Sequence, residues 1–230
     1  KMQNIYQIQT NIEQVLRYID LSTTYFVRSP QTMALLNREM DAVAFNEFHN
    51  LQKDLNHLQT LETGIEDIVL VSFDRNWIIN NDGLSRLTAE TYSNLHSHYL
   101  NLPEHSHWLL EDANNIGIPN ATKKSCPSYI NLVKKLPIIT KKKDGLISVL
   151  IPTCELTKIM AQSTDNDAFI VLDENDHVVA DSNLDYVSED GYIPPQLFRS
   201  IDQQQQHGQF EFMINNIEYK VSFRKSDLNN

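Results

Sequence analysis

Residues 65–84, IEDIVLVSFDRNWIINNDGL, carry the change of pattern on which the fold turns. Asp67 to Phe73 is an extended run rich in Val and Ile. Trp77 to Asn80 is its hairpin partner across Asp74-Arg75-Asn76, and Asn81-Asp82-Gly83 is a further turn signal. Upstream of Gly64 the apolar period is helical; downstream it is that of strands.

Working back from the hairpin, a helix is expected from Gln31 to Glu62. Its apolar stripe runs Met33, Leu36, Met40, Val43, then Phe48, Leu51, Leu55 and Leu58. Before it, Ile5, Ile8, Ile12, Val15, Ile19 and Phe26 recur at spacings of three and four, with Ser22 in the one polar slot. That is an a/d heptad stripe, and Ser29-Pro30 ends it. These stripes serve either helix packing on a sheet or pairing of the first helix with a second copy.

Working forward, Thr88 caps a helix over Ala89 to Leu100, Trp108 to Leu110 is a short strand, and Asp112 to Ser125 is a polar loop. Tyr129 to Ile139 and Leu146 to Ile151 are strands joined by a turn at Lys141 to Gly145. The order describes an antiparallel sheet flanked by helices, in a PAS-like arrangement. A shorter version follows: a helix from Pro152 to Gln162, a hairpin of Ala168 to Asp173 with His177 to Ala180, a helix from Pro194 through Ile201, the polar stretch Gln203 to Gln206, and a hairpin of Gln209 to Ile214 with Glu218 to Phe223. The fold class is therefore α+β, long N-terminal helices followed by two antiparallel sheet modules. The expected organisation is a helical stalk over 1–64, a first module over 65–152 and a smaller one over 153–230.

Composition narrows the function. The net charge of -11 argues against a nucleic-acid surface and against attraction to anionic lipid. The six glycines are never spaced as a phosphate loop or dinucleotide fingerprint requires. No apolar run is long enough to span a bilayer, and both ends are expected to be cuts in a longer chain. A hydrolase elbow is absent. Asp173-Glu174-Asn175-Asp176 lacks the Gly and final Glu of a calcium loop and suits a hairpin turn. Asn120-Ala121-Thr122 is a glycosylation sequon without other support.

His96, His98, His105 and His107, with Glu104 beside them, are the candidates for a metal. His105 and His107 would share one side of a strand, whereas His96 and His98 diverge on a helix. Solvated or hydrogen-bonding histidines are the competing explanation. As for the two cysteines, a turn centred near Lys142-Lys143 would leave Cys126 and Cys154 about five residues out of register, ~16 Å apart along the strands, so free thiols are expected.

The leading helices, Ile65 to Leu84, the Trp108 strand, "DGLISVLIPTCELTKIM" (Asp144 to Met160) and "AFIVLDENDHVVADSN" (Ala168 to Asn183) together resemble the double Cache sensor domains. These are extracytoplasmic parts of bacterial chemoreceptors, histidine kinases and membrane-bound AraC-type regulators. The resemblance covers nearly the whole chain. The stretch from Trp77 to Gly83 looks most like the Firmicute kinases and AraC-type regulators.

The resemblance implies a cell-membrane protein, held by flanking helices outside this sequence, whose membrane-distal module at 65–152 binds a small molecule. It implies no catalytic residue, metal or cofactor. Trp108 and Tyr129 are the leading ligand-binding candidates, with Asn131, Asn80 and His107; Trp77 suits the core. The amino-acid-binding subset carries an Arg before the strand tryptophan and an Asp on the last strand. This sequence has His105-Ser106-His107 and Ile151-Pro152 there, so an amino acid is not supported, while a sugar suits aromatic faces and amides. A metal-dependent enzyme and a domain sensing a partner protein remain as alternatives.

Overall fold

The computed structural model describes residues 2–60, 64–103, 105–113, 126–137, 144–161, 168–173, 175, 177–182, 197, 199–201, 205–214 and 216–226. They belong to two compact units, one of residues 18–153 and one of residues 1–17 with 154–230. The fold class is α+β, as expected.

Helix α1 (Met2–Arg28) shows how a helix period decides which residues are buried. Its buried stripe is Ile8, Ile12, Leu16, Ile19, Thr23 and Val27. Beyond Ile12 the expected heptad stripe keeps only Ile19 on this line, because an α-helix has 3.6 residues per turn and not 3.5. Packed on its own chain, α1 therefore buries Leu16, Thr23 and Val27 where the heptad would bury Val15, Ser22 and Phe26. Ser29 then caps α2 (Pro30–Leu36), its hydroxyl accepting from Thr32 N, with Pro30 at the first position.

The expected single helix from Gln31 to Glu62 is two helices. Residues 37–44 break it, and α3 (Phe45–Thr60) starts beyond them. The step of five from Val43 to Phe48 is where the stripe loses helical phase; Val43 is 78% exposed. The break frees carbonyls that the sheet uses. Ser72 Oγ donates to Leu36 O at 2.7 Å, and Trp77 Nε1 to Arg38 O at 3.1 Å.

The sheet of the 18–153 unit has six antiparallel strands: β1 (Asp67–Ser72), β2 (Trp77–Asn80), β3 (Gly83–Arg86), β4 (Ser106–Asp112), β5 (Ser128–Leu136) and β6 (Gly145–Pro152). Their order is β3-β2-β1-β6-β5-β4. β3, not expected from the sequence beyond the turn signal that ends at Gly83, extends the edge; Gly83 permits its tight entry at a φ of 112°. Side chains alternate between two layers. On one face Trp77 meets Phe48 edge-on, ring centres 5.3 Å apart. On the other, Val69, Val71, Val133, Leu146 and Leu150 form a core with Leu95 and Tyr99. Those two come from α4 (Ala89–Leu95) and the π-helical turn His96–Leu100 that continues it.

Register corrects the cysteine expectation. Leu136 pairs with Gly145, so the β5–β6 turn is centred two residues earlier than the lysine run suggests. Each residue of shift moves cross-strand partners by two. Cys126 and Cys154 thus fall nearly opposite each other just beyond the strand ends, and they are disulfide-bonded. Gly145 is also required by packing: a Cβ there would run into the Val71 carbonyl and crowd Leu36.

The second unit contains α5 (Thr153–Ala161) from Cys154 onward and the hairpins β7 (Ile170–Leu172) with β8 (Val178–Asp181), and β9 (His207–Ile214) with β10 (Ile217–Arg224). The start of α1 belongs to it: Gln9 Nε2 donates to Lys225 O at 3.0 Å, and the Arg224 guanidinium lies 4.5 Å from the Tyr6 ring centre. Of the helix expected from Pro194 to Ile201, residues 194–196 and 198 lie outside the described residues, as does most of the Asp112 to Ser125 loop. No helix among the described residues is long and apolar enough to cross a membrane.

Candidate functional site

Strand alternation sorts the five candidate ligand residues. Val133 pairs with His107, Asn131 with Leu109 and Tyr129 with Glu111, so these side chains share the face covered by α4 and its π-helical turn. Asn80, two along from Ile78, falls on the same face of β2. Trp108 pairs with Leu132 and points to the opposite face, toward the N-terminal helices. Trp108 lies on a strand, as its sequence pattern suggests. Its parity places it away from the other four.

Within that apolar face lies a closed polar network. Glu111, 7% exposed, is its acceptor. The Tyr99 hydroxyl donates to Oε1 at 2.9 Å, Asn131 Nδ2 donates to Oε2 at 2.5 Å, and His98 Nε2 lies 3.0 Å from Oε1. Asn131 is engaged on its other side by Ser148 Oγ, which donates to Oδ1 at 2.6 Å. Among the described residues no Lys or Arg pairs with Glu111, and the half-exposed His98 is its only donor able to carry a positive charge. A buried carboxylate without a fixed cation is costly. The surrounding Val and Leu side chains show that this layer could have been apolar.

Two flanking features shape the site. Lys135, buried on the same face, donates to Leu100 O at 2.9 Å and to Leu102 O, tying down the end of the π-helical turn; burial holds its ammonium below the usual lysine range. At the other end Tyr129 Oη donates to Glu66 Oε1 at 3.2 Å. Asp67 begins β1 there, its Oδ1 accepting from Asn81 N. Asn80 is spent locally, its Oδ1 accepting from Asp82 N in the turn.

Sequence reasoning missed Glu111, Tyr99 and Ser148. Glu111 lies just past the expected end of its strand at Leu110, and Tyr99 lies in a helix from which no ligand-binding residue was expected. The available signal was a lone polar residue in an apolar strand, Ser148 in GLISVLIP and Glu111 after Trp-Leu-Leu. The histidines do not converge. His96 stacks on Tyr92, His98 turns to Glu111, and His105 is exposed. Glu104 lies outside the described residues. Among the described residues no three His, Cys, Asp or Glu side chains are grouped to hold a metal.

No family model matches the chain. The structure superposes on the sensory domain of the Campylobacter jejuni chemoreceptor Tlp3 with isoleucine bound, at 14% identity and a TM-score of 0.55, covering 92% of this chain and 82% of that one. A domain assigned to the sensory box/GGDEF family from Vibrio parahaemolyticus gives 0.60 at 11% identity, covering 96% and 94%. An extracellular domain assigned to the histidine kinase vpHK1S-Z8 gives 0.56 at 10%, covering 96% of each. This is the fold of Cache-type sensory domains. By sequence, the chain is 32% identical over 235 residues to YtdP, an uncharacterized HTH-type transcriptional regulator of Bacillus subtilis (strain 168). The match takes in 100% of this chain and spans 30% of that protein's length.

Proposed function

We propose that this chain is the extracytoplasmic, non-catalytic sensor part of a membrane-bound transcription regulator, binding a small molecule at the α4-covered face of its six-stranded sheet. The observation that carries the reading is the buried Glu111–Asn131–Tyr99–Ser148 network in an otherwise apolar layer. Buried polar groups at such expense are characteristic of sites that exchange partners, and π-helical turns recur at functional positions. The similarity to an HTH-type regulator favours a transcriptional output over a kinase. The disulfide supports an oxidising compartment. In this reading 65–152 is the membrane-distal module, 153–230 the proximal one, and the anchor is supplied by segments other than the helices described.

The network also restricts the ligand. Glu111 offers acceptor oxygens and no fixed cation, so a group with hydroxyl or ammonium donors can replace Tyr99 or His98 there, whereas a carboxylate would be repelled. A sugar or an amine fits; an organic acid does not. A thermal-shift panel of monosaccharides, amines, amino acids and organic acids tests this. A hydroxyl- or ammonium-bearing compound should raise Tm, and Glu111→Gln or Asn131→Ala should remove the rise. If no compound moves Tm at millimolar concentration, or if the rise survives both substitutions, the site is elsewhere and the proposal fails.

The same reading includes pairing of two copies along α1. The face left uncovered is not the expected heptad stripe but Tyr18, Leu21 and Tyr25, at helical spacing and exposed.

A further inference from the structure

We infer that Lys134 couples the Glu111 network to helix α1, an inference that rests on the sensing role proposed above. β4 and β5 form one antiparallel ladder with two faces. Glu111 and Asn131 lie toward α4, whereas Lys134, opposite Ser106 in the register, lies toward α1. There the Lys134 ammonium, 4% exposed, donates to Asp20 Oδ1 at 2.5 Å and to Ser106 Oγ at 3.1 Å. Asn131 and Lys134 are thus about 10 Å apart along one extended strand, on its two sides.

The geometry suits transmission. β5 is hydrogen-bonded to β4 and to β6 along its length, so it moves with its ladder and not residue by residue. Exchange of partners at Glu111 or Asn131 displaces the β4–β5 ladder and carries Lys134 with it. A buried ammonium cannot give up its carboxylate cheaply; Asp20, which is only half-buried, follows. Asp20 sits between Ile19, which α1 buries, and Leu21 on the exposed stripe. A pull at Asp20 therefore reorients that stripe. Neither Lys134 nor Asp20 touches the network itself, so theirs is a positioning role.

Hydrogen exchange on the 230-residue chain, without any ligand, tests the coupling. Glu111→Gln perturbs the network, and the readout is the exchange rate of the α1 amides from Tyr18 to Thr24. In the otherwise unchanged chain the substitution should raise those rates about fivefold or more, the size of a modest coupling between sites. In a Lys134→Met background the increment should vanish, whatever the baseline rates in that background. A merely structural lysine would shift the baseline and leave the increment intact. An increment that persists in Lys134→Met, or none in the unchanged chain, overturns the inference. If Lys134→Met is unfolded by circular dichroism, Asp20→Asn replaces it, since that carboxylate is partly solvated. Because no ligand is used, a negative result here leaves the binding panel to succeed or fail separately.

Discussion

Asp67 opens β1 with 2% of its surface exposed, and burial pushes its carboxyl up to about 6 against the amide hydrogen bonds of Asn81 and Ile68 that pull it down. The unfolded chain would titrate it near 3.8. A carboxyl whose folded pKa lies above its unfolded one favours the fold when protonated. Its contribution is fully present below about 4 and is lost as pH rises through about 6. Asp67→Asn, which keeps an acceptor for Asn81 and removes the charge, should therefore stabilise the chain at pH 7.5 by ~3 kcal/mol. The gain should disappear below pH 4. Urea melts of both proteins at the two pH values check this, and equal stabilities at pH 7.5 would refute it. Of Asp67, Asn131 and Glu111, only Asn131 was singled out from the sequence. Its pairing with Glu111 was not legible there, because the two meet across strands through a register that neither residue encodes.

At the scale of elements, α1 separates two uses of one apolar pattern. A stripe of period 3.5 would supercoil around a partner helix, while the buried stripe Ile8, Ile12, Leu16, Ile19, Thr23 and Val27 packs on its own chain. Tyr18, Leu21 (66% exposed) and Tyr25 (83% exposed) remain for a second copy. Leu21→Glu with Tyr25→Glu should convert a dimer to a monomer in sedimentation equilibrium while leaving Tm nearly unchanged, since both side chains are already in water. A monomer in the unsubstituted protein at high micromolar concentration would remove the pairing proposal. The break between α2 and α3 was visible as a loss of helical phase after Val43. Its purpose was not: the freed Leu36 and Arg38 carbonyls take Ser72 and Trp77, which are remote in sequence.

For the whole molecule, the Cys126–Cys154 bond closes the loop that contains β5 and β6. Cross-linking a loop of that size removes unfolded-state entropy worth about 3 kcal/mol. Cys154→Ser should lower Tm by roughly 10 °C for a chain of this length. A thiol titration of the unreduced, denatured chain should find no free thiol; finding two would show that the bond does not form. The α+β order of helices and strands, the hairpin at Asp74 to Asn76, the acidic charge and the absence of catalytic motifs all follow from local periodicity and composition, which each segment carries by itself. The face on which Trp108 lies, the alignment of the cysteines and the Glu111 network were decided by tertiary structure alone. Each depends on cross-strand register, where displacing the β5–β6 turn by two residues realigns every partner pair.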